Sequence, residues 1–485
     1  MIKRLTTLLL LAGAQLLSAA SEKPNIVFLL VDDLGRGDFG CYGAQFYETP
    51  NIDKLAAEGM LFTNAYAACT VCSPSRAAIL TGCYPARTHL TDWITGHDHP
   101  FAKLSVPDWN MRIDHERVVL PEALKAGGYD TAFFGKWHLM PNGQADEQEH
   151  YPTDHGFDLN IGGREWGQPK GPGKYFSPFD MPNLDDGKPG DFLTDKLTDA
   201  AIKFLDNTKR DNPFLLYFSY YTLHGPIMAP PAYVEKYKEK AKGFDNAKDE
   251  LLDPARAGMV EILDNSIGRI VSKLEELGIA ENTIIILTGD NGGDNPKTSG
   301  GFRDFKGFSH EGGVREPFLV KWPAKIKSSS KSDATVIGMD IYPTLLDAAG
   351  MDLLPEEHKD GISILPVLED GSAKLERDSV FWHYPHYHRT KPYGAIRHGD
   401  LKLIEFFETG ELELYDLSSD PAEKNNLAKS QPEKAAALLA ELREWRKSVG
   451  AQMMTENPDY DPEREEHTRK GDKISPGPRR GAKKF

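Results

Sequence analysis

The chain has 485 residues, 40% of them hydrophobic, with 57 Lys and Arg against 73 Asp and Glu for a net charge of −16. That composition is ordinary for a globular protein and excludes a mostly disordered chain, a collagen-like chain and a small disulfide scaffold. The negative field disfavours non-specific nucleic-acid binding, so no nucleic-acid partner is expected, and any anion site must gather its own positive charge.

In chain order, Lys3 and Arg4 precede an apolar run, Leu8 to Leu17, and the small residues Ser18, Ala19 and Ala20. This pattern predicts a signal peptide over residues 1–20, because the run is shorter than the ~20 residues that span a bilayer. The expected destination is the periplasm or the medium, with no membrane span after cleavage. Four cysteines follow: Cys41, Cys69, Cys72 and Cys83. An oxidising compartment permits disulfides, and four cysteines allow three pairings. Cys69 and Cys72 have C-x-x-C spacing but lack the second pair of a zinc site.

Residues 25–31 read as a fully apolar strand ending in Asp32-Asp33. Thr49-Pro50 opens a helix over 51–60. Helices are predicted over 120–126, 196–206, 254–277 and 340–349, and buried strands over 131–134, 213–221, 283–288 and 318–322. Continuous apolar strands alternating with helices imply an α/β fold, a mainly parallel sheet sandwiched by helices, over residues 21–375. From about Ser379, short alternating segments split by Gly-Asp and Thr-Gly turns predict an antiparallel sheet, followed by a helix over 431–449. That makes a smaller C-terminal subdomain, 376–450. Residues 451–485 form a polar tail, basic from His467 and read as mobile.

In parallel sheets, functional groups gather at the carboxyl ends of strands. Here those ends carry Asp32-Asp33, Lys136 and His138, His224, and Asp290-Asn291. Asp32, Asp33, Asp290 and Asn291 form an all-oxygen donor set suited to Ca²⁺ or Mg²⁺. Taken singly, Asp-Asp also reads as a turn and Asp-Asn-Gly-Gly as a hairpin. In Cys72-Ser73-Pro74-Ser75-Arg76, Pro74 suits a first helical turn with Ser73 as cap, which places Cys72 just outside a helix N-terminus. A cysteine there reads either as a low-pKa thiolate or as a buried structural residue. Lys136, Lys306 and Arg76 supply the local positive charge, and two histidines offer proton transfer near neutral pH.

The motif Cys72-x-Pro74-x-Arg76, followed by Ala77 to Gly82, resembles the signature of the type I, formylglycine-dependent sulfatases. So do residues 25–35, Gly135 to Leu139, His224-Gly225-Pro226, Asp290-Asn291-Gly292 and residues 306–313, in the same order across about 24–450. The resemblance implies an alkaline-phosphatase-like core with a smaller C-terminal sheet domain. It also implies that a maturation enzyme, a transient partner, oxidises Cys72 to formylglycine, whose hydrate attacks the sulfur of a sulfate ester. Asp32, Asp33, Asp290 and Asn291, together with the modified Cys72, would hold one Ca²⁺. Arg76 would hold the hydrated aldehyde, and Lys136 and Lys306 would bind sulfate oxygens. His224 would protonate the leaving alcohol, and His138 would deprotonate the second hydroxyl.

Many family members also place a Ser after the Lys-Trp-His motif. Residues 156–167 contain none, and Gly162, Gly163 and Arg164 are the candidates for that rim. Trp93, His97, Asp98 and His99 follow the motif helix, and His383, His386, His388, Arg389 and Arg397 lie at the domain junction. His99, His383, His386 and Arg389 are the expected contacts to a sulfated sugar, although the His383 to His388 run also reads as junction packing. Two alternatives are a phosphodiester or phosphonate monoester hydrolase on the same scaffold, and a non-catalytic binder of sulfated glycans with Cys72 unconverted.

Overall fold

The seven residues Asn25–Val31 form strand β1, buried on both faces. Val27, Leu29 and Val31 enter one core, Ile26, Phe28 and Leu30 the other, as the two-residue period of a strand requires. The computed structural model describes residues 23–141, 150–208, 212–244 and 251–467; the expected leader and most of the basic tail lie outside them. Among the described residues, no helix is long and apolar enough to cross a membrane.

The remaining strands are β2 (Met60–Tyr66), β3 (Leu104–Ser105), β4 (Asp130–Gly135), β5 (Leu159–Ile161), β6 (Phe214–Ser219), β7 (Thr283–Gly289), β8 (Arg315–Lys321), β9 (Ser330–Ser332), β10 (Val336–Ile337), β11 (Ser379–Tyr384), β12 (Tyr393–His398), β13 (Leu401–Phe406), β14 (Leu412–Asp416) and β15 (Thr455–Glu456). The main sheet runs β10-β2-β8-β7-β1-β6-β4-β5, with β9 on β2. β1 pairs in parallel with both β6 and β7, and β4 in parallel with β6 and β5. The carboxyl ends of β1, β4, β6 and β7 therefore share one edge. One core packs against the helices Leu193–Asn207 and Pro254–Glu276, the other against Leu120–Ala126 and Ile341–Ala348. This is the expected α/β sandwich of alkaline-phosphatase type.

Some local expectations change. Helix α1 (Pro50–Glu58) stops at Gly59, and Met60 opens a strand instead of closing the helix. The strand expected over 318–322 is β8, which runs antiparallel to both β7 and β2. Strands β11 to β14 form the antiparallel C-terminal sheet, covered by the helix Pro432–Ser448. At its first tight turn, His398 pairs with Leu401 across Gly399, whose φ of 55° suits glycine. Beyond that helix, β15 pairs with β3 in the main body.

Candidate active site

Helix α2 spans Cys72–Thr81, so Cys72 is its first residue and Val71 its cap position. Ser73 is not the expected cap. Its hydroxyl donates to the His138 carbonyl at 2.9 Å and accepts the Ile94 amide at 3.1 Å, tying the helix to two loops. Gly82 ends the helix in a left-handed conformation, φ 64°. One turn after Cys72, Arg76 reaches under the sheet edge. It pairs with Asp290 through Nε at 2.8 Å and its terminal nitrogen at 2.7 Å, and donates to the Lys136 carbonyl at 2.9 Å and Ser219 Oγ at 2.5 Å. The Cys72 Sγ lies 3.3 Å from His138 Nδ1.

The carboxylates converge from two strand ends. One oxygen each of Asp32, Asp33 and Asp290 lies within 4.8 Å of the others, and all three side chains are buried. Lys136 Nζ donates to Asp32 at 2.7 Å, and Lys306 Nζ to Asp33 at 2.5 Å. Asn291 Nδ2 also donates to Asp33, at 2.9 Å. Asp32 Oδ1 and Asn291 Oδ1 are buried with no hydrogen-bond partner. Orphaned acceptors of that kind are costly unless something else meets them. Two unpartnered hard oxygens beside three converging carboxylates fit a divalent cation of the Ca²⁺ or Mg²⁺ kind. Asp33 and His138 both take left-handed backbone, φ 53° and 56°, sparsely populated states that aim side chains at functional sites.

Burial raises the pKa of Asp32 and Asp290. For Asp33, burial acts upward but the charges of Lys306 and Lys136, joined at low pH by protonated His224, outweigh it, and the group stays ionised. Burial lowers the pKa of His138 and takes His224 down to about 4, so both imidazoles are neutral near pH 7. Cys72 is not the low-pKa thiolate of the first reading: burial raises its pKa against the pull of Lys136 and Lys306. The four cysteines are unpaired.

A cavity of about 540 Å³ opens above this cup, lined by Cys72, His138, His224, Lys306, His388 and Arg389, with Trp93, His97, Gln168 and Lys170 on its rim. Of the residues expected to contact a sugar, Arg389 lies on this wall. His99 lines an adjoining cavity of about 430 Å³, which shares Thr95 and His97 with the first. His383 and His386 lie away from both, a correction: they are 5% and 3% exposed, bonded to the Gln452 carbonyl and to Thr91 Oγ1, each at 2.8 Å. They pack the junction. Arg397 is likewise buried, bonded to Tyr66.

The rim expected at Gly162, Gly163 and Arg164 is displaced too. Arg164 stacks on Trp166 at 3.6 Å, and Gly167 takes the wall. A Cβ at Gly167 would lie 2.5 Å from the His138 ring, so only glycine permits this approach. The sequence reading missed Ser219, Gln168 and Lys170. Only Ser219, at a parallel-strand end, had a positional signal.

Residues 24–351 match the family model described as Sulfatase, and 300–448 match that described as N-sulphoglucosamine sulphohydrolase, C-terminal. A curated sulfatase of Formosa agariphila is 33% identical, over 90% of this chain and 91% of its own. Human N-acetylgalactosamine-6-sulfatase is also 33% identical, over 73% and 67%. A solved structure in complex with its substrate D-glucosamine-2-N,6-O-disulfate superposes with a TM-score of 0.70 at 25% identity, covering 90% of this chain and 99% of that one. The chain belongs to the sulfatase family, and so to the sulfuric ester hydrolases.

Proposed function

We propose that this protein is an exported, Ca²⁺-dependent sulfatase that removes O-sulfate from a sugar of a sulfated glycan, with formylglycine made from Cys72 as nucleophile. The observation that carries this reading is the convergence of Cys72, three carboxylates and three cations on one buried cup. Asp32, Asp33 and Asp290 are balanced by Arg76, Lys136 and Lys306. A bound dication then leaves the cup with about two positive charges, which suits a singly charged sulfate ester inside an otherwise acidic protein.

Asp32, Asp33, Asp290 and Asn291 would hold the ion, which supplies Lewis-acid polarisation of a sulfate oxygen when bound. Formylglycine at position 72 would supply a hydrated aldehyde as the nucleophile toward sulfur. Arg76 is fixed by four polar contacts beneath position 72 and orients that hydroxyl. Lys136 and Lys306 bind sulfate oxygens as compact charges. His224 faces the cavity, neutral at rest with its Nδ1–H on the Gly225 carbonyl, and would take up at Nε2 the proton that the attacking hydroxyl loses and pass it to the leaving sugar oxygen. His138, with Nδ1 toward position 72 and Nε2 on the Ile94 carbonyl, takes the proton of the second hydroxyl. Trp93, His97 and His388 present rings to a sugar, and the adjoining cavity gives room beyond one residue. The relatives' names support a sugar substrate: N-acetylgalactosamine-6-sulfate for one, a glucosamine disulfate for the other. The leader pattern supports export and access to the maturation enzyme.

The test joins intact-mass analysis of the Cys72 peptide with a screen of defined sulfated sugars, scored by free sulfate. The expected result is the thiol-to-aldehyde mass change and release from at least one sugar. A converted protein that hydrolyses phosphonate monoesters but no sulfate ester would overturn the reading. So would a persistent free thiol with binding and no turnover.

A further inference from the structure

Away from the cup, a second set of donors converges. His115, His150 and His155 each bring a ring nitrogen within 4.8 Å of the other two. They come from two stretches of chain: His115 from the loop before the helix Leu120–Ala126, His150 and His155 from the segment that ends in the turn Pro152–His155. His150 and His155 are 6% and 1% exposed, whereas His115 reaches solvent. The rings stack nearly parallel, His115 lying 4.5 Å from His150 and 4.9 Å from His155 between centroids.

The chemistry of this cluster differs from that of the cup. All three donors are imidazoles, the neutral form of which ligates metals, and two of them are buried. His155 Nε2 is buried with no hydrogen-bond partner, whereas core polar atoms normally have one. Imidazole donors favour Zn²⁺ and its transition-metal neighbours over Ca²⁺, the reverse of the carboxylate set.

We infer that His115, His150 and His155 form a second metal site, one for Zn²⁺, with water in the fourth position on the exposed side of His115. Tetrahedral Zn²⁺ with ~2.05 Å bonds draws its nitrogens to about 3.3 Å apart. Ring planes now 12–24° apart would have to turn so that their lone pairs meet at the ion, with His115, exposed on its loop, freest to move. The ion would brace the active site from behind: Trp137, between Lys136 and His138, donates Nε1 to the His150 carbonyl at 2.7 Å and packs its ring 5.7 Å from His155.

The test uses the full chain with Cys72→Ala, which removes the thiol beside His138 as a competing zinc ligand, in saturating Ca²⁺. Zn²⁺ is titrated by calorimetry against a chelator of known affinity, and Co²⁺ is titrated for its tetrahedral visible bands. The expected result is one equivalent of Zn²⁺, a melting temperature that rises with zinc, and intense Co²⁺ bands. Adding His115→Ala, or His115→Gln, weakens binding by at least ~100-fold, since loss of a mere supporting group already costs 10–100-fold. Because His115 is exposed, these variants keep the zinc-free melting temperature and lose only the zinc-dependent rise. Absence of one-to-one binding, or unchanged affinity in both His115 variants, would overturn the site. The readout is binding, so it stands whether or not the protein turns over any sulfate ester.

Discussion

Two buried charge clusters sit on opposite sides of β8, and they are built differently. At the domain junction, Lys402 is fully buried between Glu311 and Glu423, at 2.9 and 3.0 Å. The second Glu311 oxygen accepts from Tyr66 at 2.7 Å and Arg315 at 3.1 Å, and the second Glu423 oxygen accepts the Glu311 amide at 2.6 Å. Three of the four carboxylate oxygens accept a hydrogen bond, and the fourth, Glu423 Oε1, is ion-paired with the Lys402 ammonium. In the cup, by contrast, Asp32 Oδ1 is no closer to Arg76 than 3.8 Å, neither it nor Asn291 Oδ1 accepts a hydrogen bond, and the cluster opens into a cavity. A cluster that satisfies itself fixes two parts of a fold. One left incomplete within the protein is completed by a ligand.

That difference is broken most directly by perturbing each side in turn. Chelation of the divalent ion should lower sulfate release by at least ~10³-fold, the combined scale of losing Lewis-acid and electrostatic stabilisation, and added Ca²⁺ should restore it. Circular dichroism should change little. Lys402→Met should do the opposite. Stranding two buried carboxylates costs about 3–5 kcal/mol of stability by denaturant titration. The folded fraction should keep its kcat/KM within a few-fold. Chelation that unfolds the protein, or Lys402→Met that inactivates a fully folded one, would erase the distinction between the clusters.

The cup was legible in the sequence because buried parallel strands announce their own ends. Asp32-Asp33, Lys136, His138, His224 and Asp290-Asn291 each follow an apolar run, and the topology then puts those ends on one edge. The helix carrying Cys72 and Arg76 was legible from Pro74 and Gly82. Strand β2 was not, because Met60–Tyr66 follows a helical pattern with only Gly59 between them and shows no clean alternation. The walls were also opaque. His383 and His386 carry the same chemistry in a sequence whether they line a cavity or pack a junction, and only burial tells them apart. Gly167 is ordinary in sequence, and its need to be glycine exists only once His138 lies against it.

The role of His224 sharpens the comparison on the cup side. Its Nε2 lies 3.8 Å from Asp33 and its Nδ1 2.9 Å from the Gly225 carbonyl, so the ring is oriented without being fully engaged. A proton donor matters in proportion to the basicity of the leaving group. His224→Ala should therefore lower kcat/KM by about 10²-fold for a sugar sulfate and by less than ~10-fold for an activated aryl sulfate. Equal losses on both would assign His224 to binding.

An effect on stability alone, without one on turnover, concerns a carboxylate that belongs to neither cluster. Asp92 is buried at the junction, where it accepts the Tyr384 hydroxyl at 2.6 Å and the Trp93 amide at 2.9 Å. The His386 imidazole lies 3.7 Å away but is itself held neutral, its pKa pushed to about 3 mainly by burial, and so lends no positive charge. Burial raises the Asp92 pKa from 3.8 to about 7, with the two hydrogen bonds opposing. A carboxyl whose value is higher in the folded state contributes stability that is complete below pH ~4 and lost as pH rises toward 7, because there the folded state holds a proton that the unfolded chain has released. Asp92→Asn keeps the accepting oxygen and removes the titration. The variant should match the parent near pH 3 and exceed it by up to about 4 kcal/mol at pH 8, read as the difference between the two stability curves. Parallel curves over that range would mean that Asp92 is ionised in the fold, and that the junction tolerates a buried charge held by neutral donors alone, whereas the cup sets Arg76, Lys136 and Lys306 against its carboxylates.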